Sequence, residues 1–336
     1  MIVTTKKQGR ILGRSGDDRL AWVLGWFFGN HRISGAPFYC DPNRVGAFAV
    51  APQLLAAGDE AALFQLFVTL SMYQGIRDVV VRRRQLALPM AEMKQVAVLD
   101  QVQRATKLHQ CAMLLSAEVF DTRCDVGKFD GAVDCAVHPG VECHVKAASV
   151  VFNRMGDMGK LPTSAWLRLW SGGVRGVFED VCRTERVPQR RASILVGHFS
   201  QICRVGRKLA TLYVSALSTP ALARGLTPWF PEIDGYDLVV IDTNVARAVD
   251  IMRPAGAPKT YQAREAWIRE QACSFDLRQF DRSLPACSAR LVQEALYAFG
   301  SKSNRAVAGD RCSEVPCSGC PADLCPFAGE SCTPKS

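Results

Sequence analysis

Two apolar stripes of helical period, close together within residues 202–252, narrow the possible fold more than any other feature of this chain. After Lys208 the apolar positions are Leu209, Leu212, Tyr213, Ala216 and Leu217, one face of a helix. After Asp242 they are Val245, Ala248, Val249 and Met252, again one face. Asp242 and Thr243 are good helix N-cap types, because a side-chain oxygen there accepts a free N–H of the first turn. Helical patterning recurs at Leu20, Val23, Leu24 and Phe27, across 61–84 and 92–118, and in 261–272 and 289–299. Residues 29–52 are rich in Gly, Pro and Asn and read as loop. The chain therefore reads as all-α.

With 336 residues, two modest domains and a sizeable core are affordable. No apolar run is long enough to span a bilayer as a helix, and no membrane partner is expected. The N-terminal MIVTTKKQGR has no apolar stretch behind its charges, so the expected location is the cytoplasm, in association with a nucleoid. A net charge of +9 suits a polyanionic partner, most commonly nucleic acid. The 14 cysteines, in a chain without a secretory signal, point to metal rather than to a disulfide framework. Cys312, Cys317, Cys320 and Cys325 are separated by four, two and four residues with proline beside them, a pattern that fits a structural zinc or an iron–sulfur cluster. Cys124, Cys135, His138, Cys143 and His144 have no standard ligand spacing, and either ordinary thiols and surface histidines or a metal site accounts for them.

The stretch Ile202-Cys203-Arg204-Val205-Gly206-Arg207-Lys208-Leu209-Ala210 resembles the hairpin L-P-G-V-G-x-K-x-A of the helix-hairpin-helix DNA glycosylases of the endonuclease III superfamily. Ile241-Asp242-Thr243-Asn244-Val245-Ala246-Arg247 resembles the segment that carries their catalytic aspartate. Cys203 stands at the hairpin proline and Arg204 at its first glycine. An arginine there either distorts the turn or adds a phosphate contact, and the sequence leaves both open. Ser71, Gln74 and Asp78 are similar to the family's L-S-x-Q-x-x-D, with one extra residue before the glutamine and one before the aspartate; the family's glutamine enters the duplex where the flipped base was. Lys146, Ala147, Val150, Gly159, Pro162 and Leu167 resemble its K-A-x-x-I helix and following G-x-x-P. The cysteine tail lies where the superfamily holds a [4Fe–4S] cluster, with two shorter gaps; zinc is the alternative.

The resemblance covers about residues 60–325 and implies a two-domain all-α helix-hairpin-helix glycosylase fold with the active site in a cleft. The implied domains are a helical barrel over 60–235, with insertions near 119–145 and 170–200, and an iron–sulfur domain from 19–59 plus 236–325. Residues 1–18 and 326–336 read as tails. Lys208 and Asp242 are the implied catalytic residues, and Gln74, Arg204, Val205, Gly206 and Arg207 the implied DNA contacts. The implied activity is removal of a damaged or modified base from double-stranded DNA by a monomer, with a lyase step, because family members lacking the lysine only release the base. Two alternatives stand beside it: a non-catalytic DNA-binding iron–sulfur protein, and a monofunctional glycosylase for a modified or mismatched base.

Overall fold

The computed structural model describes residues 15–30, 36–74, 77–108, 111–124, 126, 143–152 and 158–301. Every regular element among them is helical and none is a strand, so the protein is all-α. In chain order the α-helices are α1 (Ser15–Asn30), α2 (Pro42–Val45), α3 (Pro52–Ala56), α4 (Glu60–Ser71), α5 (Asp78–Ala87), α6 (Met90–Ala97), α7 (Leu99–Leu108) and α8 (Ala117–Arg123). They continue as α9 (His144–Val151), α10 (Leu161–Ala165), α11 (Val174–Thr184), α12 (Pro188–Phe199), α13 (Arg207–Ser218), α14 (Thr243–Met252), α15 (Tyr261–Ala272) and α16 (Ala289–Gly300). The chain divides into two compact units, Ile33–Leu238 and Met1–Arg32 with Val239–Ser336.

The core of the first unit is aromatic. Phe64 and Phe67 of α4, Trp170, Phe199 of α12, Tyr213 of α13 and Trp229 pack ring against ring, with Phe199 and Tyr213 centroids 4.7 Å apart. Such rings bury large areas and prefer edge contacts. Burial pushes the Tyr213 phenol well above its ordinary pKa, and its hydroxyl donates to the Leu63 carbonyl at 3.1 Å. A buried hydroxyl without such an acceptor would be costly. Helix α10 runs on into a wider turn, where Ser171 N–H donates to the Trp166 carbonyl five residues back. Gly159 is fixed by close approach: a Cβ there would sit 2.7 Å from Ser149 Cα on α9.

Four of the expected regions take a more specific form here. The helical region 61–84 breaks after Ser71, and α5 starts only at Asp78, after Arg77 in extended backbone. The 92–118 stretch is α6 and α7, separated by the extended Val98, followed by a short turn over Ala112–Leu115. The expected insertion over 170–200 forms α11 and α12, which place Val174, Val181, Ala192, Leu195, Val196 and Phe199 in the core. Residues 36–59, which the sequence reading groups with the C-terminal helices, supply Phe48, Val50 and Leu55 to this same core.

The second unit is built from α1, α14, α15 and α16. Leu20, Val23, Leu24 and Phe27 of α1 are buried, as their spacing predicts. Trp22 and Trp26 meet the Phe299 ring edge-on at 5.2 and 5.1 Å. Gly300 admits α14 closely; a Cβ there would lie 3.2 Å from the Asn244 carbonyl oxygen. Buried Arg290 is paired with Glu294 at 2.7 Å and with the Gln293 amide oxygen at 2.7 Å.

Candidate functional site

The turn between α12 and α13 forms around a backbone reversal at Arg204, which has φ +66°. It is the only non-glycine residue with positive φ among the described residues. Side chains other than glycine enter this region at a cost of roughly 1–2 kcal/mol. Arginine thus occupies a left-handed position of the kind that glycine takes freely. Val205 N–H donates to the Ile202 carbonyl at 2.9 Å and closes the turn, and the Val205 side chain is buried. Cys203, at the proline position, donates its N–H to Ser164 Oγ of α10 at 2.9 Å, a bond that proline has no hydrogen to make.

Gly206 follows as the N-cap of α13, with φ −85°. Neither backbone nor packing demands glycine there, because a Cβ would meet nothing within 4 Å. No side chain caps α13, whereas Asp59, Asp242, Thr260 and Ser288 cap α4, α14, α15 and α16. Arg204, Arg207 and Lys208 place three cations about the positive end of the α13 dipole, where positive charge is disfavoured by about 0.3–1 kcal/mol each. An anion at that end would reverse the sign.

Lys208 is half-buried in the first turn of α13, and its Nζ donates to the Tyr73 carbonyl at 3.2 Å. The structure thereby brings Lys208 against the segment that follows α4, which contains Gln74. Gln74 is itself half-buried, and its Nε2 donates to the Ser71 carbonyl at 2.9 Å, closing the C-terminus of α4. Tyr73 was not legible as a site residue. Its ring stands edge-on to Phe38 at 5.4 Å, and its hydroxyl donates to Gln85 Oε1 at 3.2 Å. Gln85, fully buried on α5, donates in turn to the Thr69 carbonyl at 3.2 Å. Burial pushes the Tyr73 phenol up to about 12, so it stays a neutral donor.

Asp242 belongs to the other unit, half-buried at the start of α14. Its Oδ1 accepts from Val245 N–H at 2.7 Å, so it is a helix cap, as its residue type predicts. The segment leading to it is held by side chains far along the sequence. Tyr261 Oη donates to the Val239 carbonyl at 2.9 Å and accepts from Ile241 N–H at 3.4 Å, and Gln293 Oε1 accepts from Val240 N–H at 3.3 Å. Neither Tyr261 nor Gln293 was singled out in the sequence, since only the folded backbone sets them beside 239–241.

Cys312, Cys317, Cys320 and Cys325 lie outside the described residues, as do Cys135 and His138. Among the described residues no group of three or more His, Cys, Asp or Glu side chains is placed to hold a metal ion. His144 engages Thr163 Oγ1 through Nε2 at 2.9 Å, and Cys124 and Cys143 pack against the small apolar cluster of Phe120, Val126 and Val145. No described helix is long and apolar enough to cross a membrane. No family model matches the chain, and neither does any curated protein or solved structure.

Proposed function

We propose that this protein is a helix-hairpin-helix DNA glycosylase with a lyase step, acting on double-stranded DNA that carries a damaged or modified base. The observation that carries the reading is the α12–α13 turn. A left-handed residue leads into a glycine N-cap with no side-chain cap, and Arg204, Arg207 and Lys208 lie in this short basic turn, an arrangement suited to a backbone phosphate. Phosphate contacts of this kind fix register on the duplex and carry no sequence information, so the reading leaves the excised base open.

The chemistry follows from the two side chains. A glycosidic bond inside a duplex is inaccessible until its nucleotide is extruded. Breaking that bond develops positive charge on the sugar, which a carboxylate such as Asp242 offsets, as in other glycoside cleavage. The Lys208 amine, once neutral, attacks the anomeric carbon; the base departs with the bonding pair and takes a proton. The resulting Schiff base makes the adjacent strand labile to elimination. Gln74 fills the space left in the duplex. On this reading Cys312, Cys317, Cys320 and Cys325 bind a [4Fe–4S] cluster, with zinc as the alternative, in a structural role.

Borohydride trapping on a panel of duplexes, each with one altered base, tests the proposal. The expected result is a covalent adduct with at least one member, absent from Lys208→Ala. Base release that survives Lys208→Ala, with no adduct, replaces the reading by a monofunctional glycosylase. Salt-dependent binding without base release in any member leaves a DNA-binding module.

A further inference from the structure

Cys273 and Cys287 meet at the two ends of the loop between α15 and α16. Their sulfurs are 2.8 Å apart, and no disulfide joins them. Cys273 is exposed at the C-cap of α15, and Cys287 is half-buried just before Ser288, the N-cap of α16. The intervening loop closes on itself without help from the sulfurs. Leu277 N–H donates to the Ala286 carbonyl at 2.9 Å, one residue from Cys287. Phe275, Leu277 and Leu284 are buried, and Asp276 caps the short turn Leu277–Gln279 through the Arg278 N–H at 3.0 Å. The sulfurs are therefore held together by the fold of the loop. No third His, Cys, Asp or Glu side chain among the described residues joins them to make a metal site.

We infer that Cys273 and Cys287 form a dithiol–disulfide pair that clasps the α15–α16 loop in response to the thiol–disulfide balance of the surroundings. With a low-molecular-weight disulfide such as oxidised glutathione as oxidant, the exposed Cys273 thiolate attacks one glutathione sulfur. The first glutathione thiolate leaves, and a mixed disulfide forms at Cys273. The Cys287 thiolate then attacks the Cys273 sulfur and expels the second glutathione. Two protein thiols are oxidised, one glutathione disulfide is reduced to two thiols, and the two thiol protons pass to the departing thiolates. Because the second step is intramolecular between preplaced sulfurs, it outruns accumulation of the mixed disulfide. The clasp fixes the start of α16, the helix whose other end leads into the cysteine-rich tail. This inference does not depend on the DNA reading.

The test uses the full-length protein, handled anaerobically, equilibrated with defined ratios of reduced and oxidised glutathione, quenched by alkylation and mapped by mass spectrometry. The expected product is the Cys273–Cys287 cross-linked peptide, with glutathione persisting on Cys273 only in Cys287→Ser. Amide exchange at Leu277 and Leu284 should slow by about tenfold or more on oxidation, since closing a loop of this length restricts its opening. Both thiols alkylated at every ratio, a mixed disulfide that persists in the unsubstituted protein, or Cys273 paired with a tail cysteine would each overturn the inference. A cross-link that leaves exchange unchanged overturns the clasp. Cys287→Ser removes a thiol that is not fully buried, and unaltered circular dichroism checks that it folds.

Discussion

Arg204 offers a test of the α12–α13 turn in which the sign of an effect decides. The comparison is Arg204→Gly against Arg204→Ala. Both remove the same guanidinium and stem, so whatever those groups contribute cancels in the difference. What remains is the backbone. At φ +66° alanine keeps the left-handed cost of roughly 1–2 kcal/mol, and glycine does not. Against this, glycine loses about 0.5–1 kcal/mol more than alanine when the chain orders. The glycine variant should therefore be roughly 0.5–1 kcal/mol more stable than the alanine variant. Urea unfolding followed by tryptophan fluorescence measures it, with an unchanged slope showing that only stability moved. At any position with negative φ the order is reversed. An alanine variant more stable than the glycine variant would thus refute the left-handed turn and the support it gives to the phosphate reading. If Arg204 also meets a phosphate, both variants should lose about 0.9 from the slope of log binding constant against log salt.

Other predictions follow from single contacts. Asp242→Asn should unfold within about 0.5 kcal/mol of the parent, because asparagine caps as well as aspartate, whereas Asp242→Ala should lose about 1 kcal/mol; on the proposed reading both lose base release, and an asparagine variant with full base release would remove Asp242 from the chemistry. Gly206→Ala should fold, since the added methyl meets nothing within 4 Å, with a loss of roughly 0.5–1 kcal/mol because alanine is the poorer N-cap, yet bind duplex DNA more weakly by a filter or anisotropy assay; unaltered binding counts against a phosphate at that position. Asp250 is held below the usual carboxylate range by its bidentate pair with Arg264, at 2.9 and 2.7 Å. Its contribution to stability is therefore full above about pH 4, the unfolded value, and is lost as pH falls through the lower folded value. Asp250→Asn should flatten that part of an acid denaturation profile, and an identical profile would contradict the assignment. Metal analysis of the purified protein should find iron and acid-labile sulfide, lost together when Cys312 and Cys317 are replaced by serine; zinc without iron would sink the cluster.

The helices were legible where one face is apolar and the other is not. The stripes after Lys208 and Asp242 and the short α1 pattern all became buried faces, because burial of one stripe is what a helical period reports. The breaks were harder to see. Ser71 and Val98 end helices within continuous helical patterns, and nothing in their residue types stops a helix; packing against neighbours decides. The cap at Asp242 was visible from residue type alone. The left-handed arginine was not, since sequence marks such positions by glycine and this one carries a side chain. Tyr73, Tyr261 and Ser164 act through partners from 20 to 135 residues away, and no local pattern encodes a contact of that span.

Adjacent hydroxyls on α10 serve two different neighbours: Thr163 engages His144 on α9, and Ser164 holds the Cys203 amide in the turn. A strained residue persists only where its surroundings over-determine it, and the Ser164 bond together with the Val205-to-Ile202 bond does this on either side of Arg204. The turn is consequently a rigid insert fixed to the body of the unit. The ordering of its amides is completed during folding and is not charged again when a ligand arrives, so contact with the start of α13 should carry a small entropic penalty and little rearrangement.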